Sequence, residues 1–229
     1  MNIGGFQKMT LLDFPGKVAC TVFTVGCNFR CPFCHNASLV TCKSNELYSE
    51  NDVLSFHEKR RGLLDGVCIT GGEPLMQKDI REFIAKIRQM GYVVKLDTNG
   101  SFPDRLKQLV NDGMVDYVAM DVKNCMDRYR ETAGVEMPDL SIIEESIDFL
   151  LEGNVDCEFR TTVVKEFHCT DDIDKLAQRI KGTKRYYLQN FVDSGELIGE
   201  NLHSVDRKTM EQMKEIAEKY IENISLRGI

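Results

Sequence analysis

Three cysteines, Cys27, Cys31 and Cys34, stand at C-x₃-C-x₂-C spacing within Val25-Gly-Cys-Asn-Phe-Arg-Cys-Pro-Phe-Cys-His-Asn36. A tight loop with that spacing turns three thiolates toward one point, and soft thiolates there suit an iron–sulfur cluster or zinc. The number of ligands is informative. A [4Fe–4S] cluster held by three cysteines leaves one iron open to a ligand from outside the protein, whereas a structural zinc site is normally closed by a fourth protein ligand. The chain has nine cysteines, but Cys20, Cys42, Cys68, Cys125, Cys157 and Cys169 are scattered and form no second C-x-x-C group. One cluster is expected, with the remaining thiols buried and free in a reducing compartment.

Further chemistry-bearing residues lie downstream, each after an apolar run. Gly71-Gly-Glu-Pro-Leu75 follows Gly66-Val-Cys-Ile-Thr70. Glycines let a backbone approach a ligand closely, and proline presets the next turn; the plain alternative is a strand-to-helix turn. Asp97-Thr98-Asn99-Gly100 ends the run from Tyr92, and Asp121-Val122-Lys123 ends the run from Val115. Asn-Gly is a common hairpin signal. Here it is followed by a helical segment, Pro103 to Val110, with proline at a first helical position. Each of these polar residues alone reads as a solvated strand end; acidic residues at successive strand ends together point to a site. Arg160 and Thr162 share one parity of the run Val155 to Val164 and could face a barrel interior, although Arg160 paired to a core carboxylate is an equal alternative. His57 reads as a packing or surface histidine, and His168 as a loose candidate.

The elements that must position these residues alternate. Strands are expected over Val18–Val25, Gly66–Thr70, Tyr92–Asp97, Val115–Lys123, Val155–Val164 and Arg185–Phe191, with a short closing strand over Ile224–Ile229. Helices are expected around Val53–His57, Lys78–Met90, Pro103–Val110, Asp139–Leu151, Ile173–Ile180 and Ser204–Tyr220. Ser49 to Asp52 and Asp171-Asp172 offer capping groups. The stretch Ser38 to Leu64 is otherwise ambiguous. Six strands alternating with helices argue an α/β fold with a parallel sheet, and six are too few for a closed eight-stranded barrel.

Bulk properties agree with a soluble globular protein of one domain, residues 1–229. Hydrophobic residues make up 42% and charged residues 28%, which is ordinary. A net charge of −7 gives no broad attraction to nucleic acid or to an anionic membrane. No apolar run reaches membrane-span length and no signal peptide is visible, so the cytoplasm is the expected compartment.

Cys27-x-x-x-Cys31-x-Phe33-Cys34 resembles the signature of the radical S-adenosylmethionine (SAM) superfamily, and the following His35-Asn36 resembles the glycyl-radical-enzyme activases within it. The opening Gly4-Gly-Phe-Gln-Lys-Met-Thr-Leu-Leu-Asp-Phe-Pro-Gly16 resembles the small activating proteins of anaerobic ribonucleoside-triphosphate reductase. The resemblance covers essentially the whole chain. It implies an open, partial (β/α)₆ barrel, a [4Fe–4S] cluster on Cys27, Cys31 and Cys34, and SAM as cosubstrate. Phe33 would reach the adenine, with Asn36 among the cofactor contacts. Gly71, Gly72, Glu73 and Pro74 would form the GGEP loop, which holds the methionyl amine through backbone carbonyls and Glu73. Asp97-Thr98-Asn99-Gly100 and Asp121-x-Lys123 resemble motifs of pyruvate formate-lyase activase. There Asp97, Thr98 and Asp121 would help form a site for a monovalent cation and the SAM carboxylate, and Lys123 would face the carboxylate or ribose. A zwitterionic sulfonium needs donors for its carboxylate and acids near its positive charges. Arg160 lies on a strand that contributes polar SAM contacts in the family. A histidine that serves SAM in pyruvate formate-lyase activase has no counterpart here, where Gln189-Asn190-Phe191 stands in its place. The implied activity is reductive cleavage of SAM to a 5′-deoxyadenosyl radical that takes hydrogen from a backbone glycine of a partner enzyme. Anaerobic ribonucleotide reductase is the favoured partner, and flavodoxin or ferredoxin a suitable electron donor. Pyruvate formate-lyase, another glycyl radical enzyme, or a small-molecule substrate (as for a deazaguanine-forming synthase) are the alternatives within the superfamily. A non-enzymatic zinc or electron-transfer module is the alternative outside it.

Overall fold

The computed structural model describes residues 1–41, 48–136 and 139–229; Cys42 lies outside the described residues. Apolar, β-branched runs form the middle of one sheet: β2 (Ala19–Thr24), β3 (Gly66–Gly71), β4 (Val93–Thr98), β5 (Tyr117–Asp121), β6 (Asp156–Val163) and β7 (Tyr186–Asn190). They pair in parallel and in chain order. A parallel β8 (Ile224–Arg227) follows β7, and an antiparallel β1 (Ile3–Thr10) precedes β2. The result is an eight-stranded, mostly parallel sheet with the six expected strands at its centre. The closing strand was also expected; β1 was not. Its Gly-Gly-Phe-Gln-Lys stretch has no clean alternation, and as an edge strand it is half-buried rather than sandwiched, so the pattern that reveals a strand is weak there.

Helices α1 (Ala37–Val40), α2 (Glu50–Glu58), α3 (Ile80–Gln89), α4 (Pro103–Asn111), α5 (Tyr129–Ala133), α6 (Ser141–Leu151), α7 (Thr170–Arg179) and α8 (Arg207–Ala217) fill the connections. Their ends follow capping chemistry. Ser49 Oγ accepts from Asp52 N (3.0 Å) at the start of α2, and Asp206 Oδ1 accepts from Thr209 N (2.9 Å) at the start of α8. The Asp206 cap makes α8 begin later than the expected Ser204. In α7 the cap works backwards: Asp172, inside the first turn, accepts from the Cys169 N–H (2.9 Å). The apolar face of α3, with Ile80, Phe83, Ile84 and Ile87, is buried in the core that also holds Val94 and Leu96 of β4. Each such side chain contributes on the order of 1.5–3 kcal/mol by burial.

The sheet's two faces differ. Val94, Leu96, Val118, Met120 and Phe159 belong to the apolar core shared with the helices. Lys95, Asp97, Tyr117, Glu158 and Arg160, of the opposite parity, meet one another on the inner face. The N-terminal mouth of this interior is covered by the loop after β1. Phe14 is buried against Tyr117, with ring centroids 6.0 Å apart, and Thr21 Oγ1 donates to Asp13 Oδ2 (2.5 Å). Polar groups at the strands' C-terminal ends are left for a site, the usual placement in parallel α/β folds. Among the described residues no helix is long and apolar enough to cross a membrane.

Candidate functional site

The cysteine loop leaves β2 at Thr24 and is clamped from several sides. Gly72 N donates to Thr24 O (2.8 Å), Glu73 N to Gly26 O (2.8 Å), Gly26 N to Leu39 O (3.0 Å), and Arg30 N to Ala133 O (3.0 Å). Gly134 ends α5 in the left-handed region (φ 63°), where a Cβ would come within 2.2 Å of Arg30 O. Cys27, Cys31 and Cys34 ring a cavity of about 150 Å³, shared with Phe33, Asn36, Gly71, Gly72, Asn99, Asp121, Lys123 and Thr162. Burial pushes the Cys27 thiol up to about 11 and the Cys31 thiol up to about 12, and it raises Cys34 as well. Without metal these groups stay protonated; thiolates form there only as ligands. Among the described residues no three His, Cys, Asp or Glu side chains converge tightly enough to hold a single ion. Three thiols spread around one cavity fit a cubane, in which each thiolate takes its own iron.

The glycines of the Gly71-Gly72-Glu73-Pro74 turn are required by contact. Gly71 has φ +106°, and a Cβ on Gly72 would sit 1.9 Å from Gly26 O. The two loops therefore touch backbone to backbone at the edge of the cavity. Asn36 Nδ2 donates to Gly71 O (3.1 Å), tying the end of the cysteine loop to this turn. Glu73 is turned away from the cavity and fully buried. Its Oε1 accepts from Leu75 N (3.0 Å) and Thr98 Oγ1 (2.9 Å), and its Oε2 accepts from Asn99 N (2.7 Å). Burial outweighs these three donors and pushes the carboxyl up to about 7. Through these bonds Glu73 and Thr98 lock the β3 and β4 loops together, and Pro74 opens the 3₁₀ turn Pro74–Met76 behind them.

Below the cavity lies a chain of charges. Arg160 donates through Nε to Asp121 Oδ1 (2.8 Å) and through Nη1 to Asp97 Oδ2 (3.1 Å). Lys95 pairs with Asp97, and Lys123 Nζ donates to Asp121 Oδ2 (3.1 Å). Burial alone would raise Asp121, but Arg160 and Lys123 outweigh it and hold the carboxyl far below the usual carboxylate range. Burial would likewise lower Lys123, and Asp121 outweighs it, so the ammonium stays charged. The Arg160 guanidinium thus bridges Asp97 and Asp121, the two carboxylates that the resemblance assigns to a cation site. Of the two readings of Arg160, pairing to core carboxylates is the one seen, on the inner face that its parity indicated.

The cavity therefore gathers Cys27, Cys31, Cys34, Phe33, Asn36, Gly71, Gly72, Asp121 and Lys123 of the expected residues, while Glu73, Pro74, Thr98, Asp97 and Arg160 support them from behind. Phe33 is buried and packs near Phe167, with ring centroids 6.0 Å apart. His168 braces the strand ends, its Nε2 2.8 Å from Lys123 O and its Nδ1 accepting from Val164 N (3.1 Å). His57 is fully buried against Cys20 Sγ (2.8 Å). Asn99 lines the cavity and was not among the expected site residues; its Asn-Gly dipeptide drew attention as a turn signal. His35 stacks on Phe191, with ring centroids 5.9 Å apart and an interplanar angle of 11°. A larger cleft of about 590 Å³ lies on the outer side by α6 and α7. Its charged residues pair with one another, Arg179 with Asp148 (2.7 Å) and Lys175 with Asp127 (2.5 Å).

Comparison with known proteins agrees with this geometry. Residues 21–180 match the model of the radical SAM superfamily. The chain is 31% identical to an inferred glycyl-radical enzyme activating enzyme of Methanocaldococcus jannaschii, over 99% of this chain and 96% of that protein. It is 30% identical to the pyruvate formate-lyase-activating enzyme of Listeria monocytogenes, over 53% of each. In fold it is similar to a radical SAM methyltransferase from Sphaerobacter thermophilus, with a TM-score of 0.74 over 96% of this chain and 68% of that one, at 13% identity. Three cysteine thiols ringing a cavity at the C-terminal end of a mostly parallel sheet, together with the family match across residues 21–180, make this chain a radical SAM enzyme, a member of the radical SAM superfamily.

Proposed function

We propose that the chain activates a glycyl radical enzyme, and that the partner is an anaerobic ribonucleoside-triphosphate reductase. The observation that carries the activase reading is the full-length likeness to a protein named for that activity. The reductase is favoured by the stretch Gly4–Gly16, which builds β1 and the loop that covers the N-terminal mouth. A [4Fe–4S] cluster bound there would, once reduced by an external one-electron donor, supply the electron for C–S cleavage of SAM and so the radical chemistry that takes hydrogen from a partner's glycine.

The chain's own residues bind and orient. Cys27, Cys31 and Cys34 would hold a [4Fe–4S] cluster, and with three protein ligands rather than four it would stay open to SAM. The Gly71-Gly72 backbone, bare of side chains, offers carbonyls to the amine. Lys123, kept charged by Asp121, faces the carboxylate or the ribose, with Asn36 and Thr162 beside it. Phe33 and the partly buried Phe167 present apolar surface for the adenine. Asp97, Thr98, Glu73, Pro74 and Arg160 act through these residues by fixing the loops and strand ends. The Arg160 guanidinium does the neutralising that an inorganic cation would do. No general base is needed, and His35 in the cavity lining is placed against Val192 O (2.6 Å) and the Phe191 ring rather than a carboxylate.

The test is anaerobic electron paramagnetic resonance. Reconstituted, reduced protein with SAM is mixed with the organism's anaerobic ribonucleotide reductase or with its pyruvate formate-lyase. A glycyl radical doublet in the reductase sample alone is the expected result. A doublet with the lyase alone keeps the activity and replaces the partner. 5′-Deoxyadenosine without a doublet in either overturns both partners and points to another glycyl radical enzyme or a small molecule. Cys27→Ala, Cys31→Ala or Cys34→Ala should each stop SAM cleavage, and turnover retained in any of them would remove the cluster assignment.

A further inference from the structure

The three cluster cysteines are not equivalent. Cys27 Sγ faces two donors, Phe29 N at 3.3 Å and Asn99 Nδ2 at 3.7 Å. The orientation of the Asn99 amide is fixed by its other end. Its Oδ1 accepts from the Ser101 N–H (3.0 Å), a group that can only donate, and from Ser101 Oγ (2.6 Å). The Nδ2 end therefore points the other way, where its two hydrogens meet Asn28 Oδ1 (3.0 Å) and Cys27 Sγ. Asn28 Nδ2 donates to Ser101 Oγ (2.8 Å), which closes a ring of three side chains. The backbone at the same position is held by Glu73 through Asn99 N. Asn99 is buried, so the donor is pre-set and poorly screened.

We propose that Asn99 is a positioning residue whose amide donates to the Cys27 thiolate and raises the reduction potential of the cluster. The inference rests on the reading of Cys27, Cys31 and Cys34 as cluster ligands. A hydrogen bond to a ligating sulfur withdraws negative charge from it, and this favours the more negative, reduced cluster. The donor reaches the cluster from the β4 loop, the loop that Glu73 couples to the Gly71-Gly72 turn. The potential is thereby set by the loop that also shapes the cosubstrate cavity.

The experiment is an anaerobic redox titration of reconstituted protein, without SAM, followed by the electron paramagnetic resonance of the reduced cluster. Iron content is measured in parallel. Asn99→Ala should load iron as the wild type does, yet show a several-fold smaller reduced fraction at the same poised potential. Ser101→Ala, which keeps the amide and its backbone anchor, should stay at the wild-type potential. Asparagine labelled with ¹⁵N in the side chain should give the wild-type cluster a nitrogen hyperfine coupling that is absent from Asn99→Asp, a variant that keeps the acceptor facing Ser101. This measurement decides the matter even where Asn99→Ala fails to assemble. An unchanged potential in iron-loaded Asn99→Ala, or no side-chain coupling in the wild type, overturns the inference. Failure of the wild type to take up iron at all overturns the cluster reading beneath it.

Discussion

Glu73 sets two physical effects against each other. Three donors favour its carboxylate, complete burial disfavours it, and burial prevails, with the folded-state value near 7 against 4.5 for the free side chain. The sign for stability follows. Below pH 4.5 both the folded and the unfolded chain hold the proton, so its contribution is fully present. Between 4.5 and 7 only the unfolded chain gives the proton up, and stability falls as pH rises, by on the order of 3 kcal/mol. Above 7 the loss is complete and the curve is flat. Glu73→Gln removes this slope while costing one acceptor. Urea denaturation at pH 5 and pH 7.5 should therefore show a pH-dependent loss in the wild type that is smaller in the variant; equal slopes would mean that Glu73 stays ionised throughout. Arg160 is the opposite case, a buried cation satisfied by two carboxylates at 2.8 and 3.1 Å. Arg160→Met leaves Asp97 with Lys95 alone and Asp121 with Lys123 alone, and should cost about 1–3 kcal/mol in urea denaturation. Arg160→Lys should recover only part, because one ammonium cannot fork to both carboxylates.

The elements show why neighbouring residues of one loop differ so much in weight. In the cover over the N-terminal mouth, Phe14 is buried against Tyr117 and lies close to Gly66, whereas Leu12 is 89% exposed. Phe14→Ala should cost about 3–5 kcal/mol, since it opens a cavity at the base of the interior. Leu12→Ala should change stability by no more than about 0.5 kcal/mol. Denaturant titration of the two variants side by side checks the contrast, and equal costs would show that the loop does not close the mouth. The same region marks the limit of what the amino-acid order discloses. β2 to β7 are legible because central parallel strands are continuous apolar runs, and their polar ends expose the site. β1 and its loop are not, because their partners are made only once the sheet exists. The site divides in the same way. The cysteines are legible from spacing alone. The turning of Glu73 toward Thr98, 25 positions away, and of Asn99 toward Cys27, 72 positions away, is not. Those contacts join loops from different strands, and no local period encodes them.

At the scale of the whole molecule the sheet turns an apolar face to the core it shares with the helices and a charged face inward, with Lys95, Asp97, Glu158, Arg160 and Asp121 meeting there. Such an interior contributes little net stability, because desolvation of the ions offsets much of their attraction. Its use is to hold a polar cavity in a fixed shape at one end of the sheet. A ligand that completes this cavity should then stabilise the entire fold by linkage, by about 2.7 kcal/mol at a hundredfold excess over its dissociation constant. Cluster-loaded wild-type protein should accordingly gain that amount with SAM in anaerobic urea denaturation. Cys31→Ala should gain far less, since Lys123, Asn36 and the Gly71-Gly72 backbone alone would grip the ligand. An equal gain in both proteins would mean that the polar rim, and not an open iron, supplies the affinity. The two outcomes separate a cavity that recognises SAM by itself from one that recognises it through the metal it holds.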